Sequence, residues 1–278
     1  MNAALICPFT EEELYQATFN MARDKAPGPD GLNPGFYQDH WSTIRSGVLK
    51  FAQSFFETGK IDSEMNHTYI CLIQKIDHPM DVKDYRPISL ANVAYKILSK
   101  ALSERLKPWL NSIISDNQSA FIPGRFITDN ILIAHELIHS LQTKKSVTPF
   151  VAAKLDITKA FDKLEWHFFE AVMAKMGFSD TWCKWMMECI TTVKYSVLIN
   201  GHHVGNISPQ RGIRQGDPIS SYLYLICTKG LSALIQASIR KNSYMDLKLA
   251  GVGQQSHTWF LQMTLWCYAR QMKRNATH

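Results

Sequence analysis

The chain lacks paired cysteines. Its six stand alone at Cys7, Cys71, Cys183, Cys189, Cys227 and Cys267, with no CxxC spacing. That excludes a zinc ribbon and offers no disulfide framework, so a reducing compartment is the expectation. There is no apolar run of the roughly 18 residues a membrane helix needs, and no basic-then-apolar signal pattern at the N-terminus. Internal repeats and low-complexity tracts are absent as well. What remains is ordinary for a globular protein: 278 residues, 46% hydrophobic and 19% charged. This is enough for a sizeable core in one large domain or two small ones. Thirty Lys plus Arg against 24 Asp plus Glu gives +6. Such a balance is compatible with nucleic acid without demanding it.

Patterning predicts mixed helices and short strands. Thr10-Glu-Glu-Glu13 reads as a capping box ahead of Leu14, Ala17, Phe19 and Met21. Lys25-Ala-Pro-Gly-Pro-Asp-Gly31 carries two Pro and two Gly and reads as a rigid loop. Helices are expected over 34–57, 92–109 (capped by Asn92), 129–141, 166–177, 179–192 and 218–240. Strands are expected over 69–76, 148–157, 195–199 and 203–207, the last two joined through an Asn200-Gly201 turn. Beyond Ala250 the periodicity dissolves. Non-repeating helices and strands of this kind point to an α+β fold.

Three strings carry more. Residues 84–90 read Asp-Tyr-Arg-Pro-Ile-Ser-Leu, residues 155–162 Leu-Asp-Ile-Thr-Lys-Ala-Phe-Asp, and residues 211–218 Arg-Gly-Ile-Arg-Gln-Gly-Asp-Pro. In this order they resemble the reverse transcriptase of plant LINE-type (non-LTR) retrotransposons, over about Thr10 to Ala250. The resemblance implies an RNA-directed DNA polymerase that takes an RNA template, a DNA primer and dNTPs, with Mg2+ or Mn2+, in the nucleus or cytoplasm. It also implies a right-hand polymerase arrangement: fingers over 1–145, a partial palm over 146–250, and no thumb. The palm sheet would be antiparallel, incomplete and packed on helices.

Residue roles follow from the same resemblance. Asp156 would be the first metal ligand, helped by the Ile157 carbonyl, because hard Mg2+ takes oxygen donors and two ions stabilise the attacking and leaving oxygens. Read alone, Asp156 also makes a good helix N-cap. Phe161 matches the bulky residue that excludes a ribose 2′-OH. Lys75 and Arg86 are assigned to the incoming triphosphate, one a point charge and one a fork. Gln74 stands where the family usually has Pro. Gln215 and Gly216 open the segment that packs on the templating base pair, where Gly permits close backbone approach. Lys25, Gly28, Arg125, Arg211 and Arg214 are expected at the template backbone, which positions a strand without reading its sequence. Solvated surface charge is the plainer alternative for Arg211 and Arg214, and a simple turn for the Lys25–Gly31 loop. Asp217-Pro218 reads as a helix start.

One pattern points to another class. His135-Glu136-Leu-Ile-His139 fits H-E-x-x-H, in which two His on one helix face bind zinc and the Glu acts as base. It sits inside the segment resembling the fingers, and no third ligand follows at helical spacing.

The second half of the family's metal site, a paired Asp in a string such as Phe-Ala-Asp-Asp, does not follow the 218–240 helix. Trp259-Phe-Leu-Gln-Met-Thr264 can be back-translated as TGG TTT TTG CAG ATG ACT. Read from the third base of TGG this gives Val-Phe-Ala-Asp-Asp, and the flanking residues allow Ser-His-Leu ahead of it and Ser-Leu-Val-Leu-Cys-Lys-Ala-Asp after it. The expectation is a chain truncated and frameshifted near Ala250 to Gly253, with a disordered tail over 251–278 and no activity as encoded. A non-catalytic RNA-binding remnant is the alternative.

Overall fold

The computed structural model describes residues 1–116, 118–143, 150–157, 159–240, 258–261 and 264–270. In chain order they form helices α1 (Asn2–Leu5), α2 (Glu11–Phe19), α3 (Pro34–Asp39) and α4 (Trp41–Thr58), then strands β1 (His67–Gln74) and β2 (Tyr85–Ala91). Helices α5 (Val93–Leu106), α6 (Leu110–Ile113) and α7 (Ile127–Thr143) lead to strand β3 (Phe150–Asp156). Helices α8 (Trp166–Lys175) and α9 (Asp180–Thr191) precede strands β4 (Lys194–Ile199) and β5 (His202–Ile207). Helix α10 (Ser220–Arg240) and strands β6 (Thr258–Leu261) and β7 (Thr264–Arg270) complete the order.

Local chemistry accounts for most boundaries. Thr10, Asn33 and Ser179 cap α2, α3 and α9 by accepting from the amides of Glu13, Phe36 and Trp182 at 3.2, 2.9 and 3.3 Å. Each such cap contributes about 1 kcal/mol. Gly59, left-handed at φ 64°, closes α4. The single helix expected over 34–57 is two, because His40 takes a non-helical φ/ψ of −106°/17° between α3 and α4. Asn92 precedes α5 as expected, but its side chain makes no cap. It accepts from the Asp30 amide and donates to the Glu64 carbonyl instead, at 3.1 and 3.0 Å.

The chain divides into two compact units, and both are discontinuous: 1–108 with 161–224, and 109–160 with 225–278. In the first unit a mixed sheet runs β2-β1-β4-β5, antiparallel except for the parallel β1–β4 pair. Strand β2 was not among the expected strands, and Pro87 within it argues against one. It is an edge strand, and Pro lacks only an N–H that an edge can spare. Asn200 and Gly201 turn β4 into β5 with φ of 50° and 82°, as a tight hairpin with positive φ at both centres requires.

The core of this unit gathers around α5 and α9. Tyr95, Ile97, Leu98, Leu102 and Leu106 of α5, and Trp182 and Trp185 of α9, are buried. Phe55 lies 5.3 Å from Trp185, ring to ring. Burial stabilises each aliphatic or Phe side chain by roughly 1.5–3 kcal/mol.

The second unit holds a three-stranded antiparallel sheet, β3-β7-β6. Its register sets Phe150 opposite Arg270 and Asp156 opposite Thr264. The stretch expected to be a disordered tail thus contains two strands, and β3 is paired along its described length. The remaining residues of 251–278 lie outside the described residues. Among the described residues no helix is long and apolar enough to cross a membrane.

Candidate functional site

The β1–β2 hairpin of the first unit presents two cations. Ile73 pairs with Arg86, and the ladder continues as the Lys75 amide donates to the Asp84 carbonyl at 2.8 Å. Directly opposed residues share a face and side chains alternate along a strand. Lys75 and Arg86 therefore stand on one face. Both are exposed. Lys75 Nζ spends one donor on the Lys83 carbonyl at 2.7 Å, and the Arg86 side chain has no hydrogen bond or ion pair among the described residues.

Behind the hairpin, the 211–218 segment is held from two sides. The Gly212 and Ile213 amides donate to the carbonyls of Leu164 and Phe161 at 2.8 and 2.9 Å. Trp166 Nε1 donates to the Gly212 carbonyl at 2.8 Å. A Cβ on Gly212 would come within 3.0 Å of the Asp162 carbonyl oxygen, so only Gly lets these backbones meet. The Gln215 carbonyl accepts from the Ser89 amide of β2 at 3.1 Å, which brings Gln215 and exposed Gly216 alongside that strand. A cavity of about 250 Å³ is lined by Gln215, Ser89, Asp162, Tyr195 and Arg211 among others. Phe161 is half-buried and stacks on Tyr224 at 5.3 Å between ring centroids.

Arg214 does not reach a surface. Its guanidinium is buried and donates to Asn66 Oδ1 at 2.7 Å, Thr68 Oγ1 at 3.2 Å and the Cys189 carbonyl at 2.5 Å. It lies 3.2 Å from Asp217 and sits over the Tyr95 ring at 3.9 Å. Asp217 is more than a helix start: it also accepts from the Tyr95 hydroxyl at 2.7 Å and from Ser99. Burial opposes the charge on Arg214, but Tyr95, Asp217, Tyr195 and Cys189 together more than offset it and its pKa is raised. Burial first, with Asp217 adding, pushes the Cys189 thiol up to about 12. The template contact expected of Arg214 gives way to a structural role, because its donors are already committed. Arg211 is exposed and pairs with Glu165 at 3.1 Å.

The Lys25–Gly31 loop is fastened to the β2–α5 junction. A Cβ on Gly28 would lie 2.4 Å from the Asn92 nitrogen, so Gly is required by packing against backbone. Lys25, by contrast, is exposed.

In the second unit, Arg125 is also committed. It donates to the carbonyls of Ser115 and Gln118 at 2.6 and 2.7 Å and pairs with Asp116 at 3.4 Å. These bonds close the loop after α6, so Arg125 holds backbone where a template contact was expected. Asp156 ends β3, and Ile157 follows it half-buried. Opposite Asp156 is Thr264, and no Asp or Glu occurs anywhere after Asp246. The β6–β7 hairpin therefore carries no carboxylate. His135, Glu136 and His139 are exposed on α7. Among the described residues no cluster of three or more His, Cys, Asp or Glu is placed to hold a metal ion.

Sequence reasoning missed the Arg214–Asp217–Tyr95–Ser99 network. The available signal was opposite charge at i, i+3 within a string otherwise dictated by Gly and Pro.

Residues 73–269 match the family described as reverse transcriptase (RNA-dependent DNA polymerase). Over 229 residues, 82% of its length, the chain is 30% identical to the transposon TX1 uncharacterized 149 kDa protein of Xenopus laevis, of which this covers 17%. Over 77% of its length it is 26% identical to the retrovirus-related Pol polyprotein from type-2 retrotransposable element R2DM of Drosophila melanogaster, covering 20% of it. A 37-residue stretch, 13% of the chain, is 54% identical to an uncharacterized mitochondrial protein of Arabidopsis thaliana, covering 30% of that protein. The chain thus spans about a fifth of the two longer relatives.

Proposed function

Since the chain belongs to the reverse transcriptase (RNA-dependent DNA polymerase) family, we propose that it is the polymerase domain of a non-LTR, LINE-type retrotransposon, built to place a dNTP and a primer on an RNA template. The observation that carries this is the exposed pair Lys75 and Arg86 on one face of the β1–β2 hairpin, beside the Ser89–Gln215 backbone bond. Lys75 offers a mobile point charge and Arg86 a planar fork, a pairing suited to a triphosphate. Phe161 is the residue that would exclude a 2′-OH, and its stacking on Tyr224 fixes the ring. Lys25 and Arg211 are the remaining exposed candidates for the template backbone. The short match to an Arabidopsis protein favours a plant source.

The catalytic half is incomplete in this reading. Two-metal phosphoryl transfer needs converging oxygen donors, mostly carboxylates for Mg2+ or Mn2+. Asp156 supplies one carboxylate, the Ile157 carbonyl is a neutral helper, and Thr264 stands across from Asp156 with a hydroxyl. Gln262 and Met263, between β6 and β7 in sequence, add no carboxylate. The donor set does not fit a two-metal site, so no catalytic step is assigned to this chain. A frame change near Ala250 to Gly253 accounts for it, because the shifted frame restores Asp-Asp where the β6–β7 connection falls. Sequencing the genomic DNA around codon 250 tests this. The reading expects an Asp-Asp pair in the shifted frame, and its absence there sinks the frameshift. As encoded, the chain would be an RNA-binding remnant. The zinc-protease reading gains no support, since no third ligand joins His135 and His139 among the described residues.

A further inference from the structure

Helix α7 carries a ridge that has no role in the assignments above. Ile127, Ile131, His135 and His139 follow at intervals of four, so they stack along one face of the helix. Ile138, three residues past His135, widens that face. All five are exposed. Ile131 keeps 50% of its surface and neighbouring Leu132 67%, so nothing in the chain covers them as a core would. The inward side of α7 is a different one, where Asn130 is buried and Ile133 and Ala134 are half-buried. The ridge holds no Asp, Glu, Lys or Arg.

The two histidines are placed to share an ion. Side chains four apart on a helix have Cβ atoms about 5–6 Å from each other. Both imidazoles can then reach one metal at roughly 2.0–2.1 Å. Neither side chain has a hydrogen bond or ion pair among the described residues. Glu136 projects about 100° further round the helix and does not join them. Among the described residues no third His, Cys, Asp or Glu completes a cluster. Imidazole suits zinc, copper and nickel, and a structural zinc takes four protein ligands in a tetrahedron. One chain therefore supplies half of such a set.

We infer that His135 and His139 bind a divalent transition-metal ion of the zinc class, which the same pair from a second copy completes, joining two chains through α7. The occupant is a second copy because the ridge is self-complementary. A two-fold axis sets one patch against itself, and this patch is apolar and carries no charge to repel its twin. Ridges of residues four apart also interdigitate in the commonest class of helix packing. The second pair brings the nitrogens to four, and the isoleucines beside them lose their exposure. The role is assembly, since an ion held by four protein nitrogens keeps no position for a reacting water. The inference does not depend on the polymerase reading.

The test uses the full chain, stripped with EDTA and titrated with zinc sulfate in sedimentation velocity. A dimer should form, peak near one zinc per two chains and decline at large excess, where each pair takes its own ion. His135→Gln/His139→Gln should stay monomeric at the zinc level that dimerises the wild type, with unchanged helical circular dichroism. Ile131→Glu keeps both histidines but sets like charges across the two-fold axis. It should weaken the zinc-dependent dimer roughly tenfold or more while calorimetry still records zinc binding. His202→Gln, at an exposed histidine of β5, should dimerise as the wild type does. A dimer equally strong in EDTA overturns the metal bridge. Saturation at one zinc per chain without dimer overturns the second copy. Zinc-induced dimerisation of the double histidine variant overturns the site.

Discussion

Arg214 Nε lies 3.2 Å from Asp217 Oδ2, and both side chains are almost wholly buried. Removing one partner of such a pair strands a charge inside the protein, which typically costs about 3–5 kcal/mol. Arg214→Ala and Asp217→Ala should each lower the free energy of urea unfolding by an amount of that order. Arg211→Ala, three residues away in the same string, removes an exposed pair with Glu165 and should cost about 1 kcal/mol or less. Equal shifts at 211 and 214 would contradict the structural role given to Arg214.

Gly28→Ala should be the most damaging change in the Lys25–Gly31 loop. The new methyl would meet Asn92 and Ala91 backbone within 2.6 Å, and backbone cannot rotate away as a side chain end can. Overpacking of this kind costs about 1–3 kcal/mol. Gly31 has nothing within 4 Å of an added Cβ, although its φ of 73° adds strain. Thermal unfolding of the two alanine variants compares them, and a larger loss at Gly31 would reverse the assignment.

His67 gives a pH dependence. Its pKa is lowered from the ordinary 6.5, by burial first and then by His203 and Lys194. The unfolded chain therefore binds the proton more readily than the folded one. Stability from this group is fully present above 6.5 and is lost as pH falls through 6.5 toward the lower folded value. The urea midpoint should rise with pH over that window, and His67→Gln should flatten the rise. A midpoint that falls over the same interval, or a variant with the wild-type slope, would contradict this.

How much was legible in sequence depended on whether the signal was local. The β4–β5 hairpin could be read because Asn200-Gly201 encodes its own turn, and α10 because Pro218 announces a start. Strand β2 could not, since Pro87 argues against a strand until its edge position is known. Arg214 and Arg125 read as surface cations because their acceptors lie elsewhere: Asn66, Thr68 and Cys189 for one, Ser115 and Gln118 for the other. The two discontinuous units and the pairing of β7 with β3 are likewise long-range facts. Arg86 and Asp156 could be singled out because each lies in one of the strings whose order carried the resemblance.

Primer extension on an RNA template tests the central claim most directly. The chain as encoded should extend no primer with Mg2+ or Mn2+, because β3 ends in one carboxylate residue, Asp156, whose register partner on β7 is Thr264. The same gene with one base restored near codon 250, continued into its downstream sequence, should extend the primer, and Asp156→Ala in that version should abolish extension. Robust extension by the chain as encoded would contradict the account.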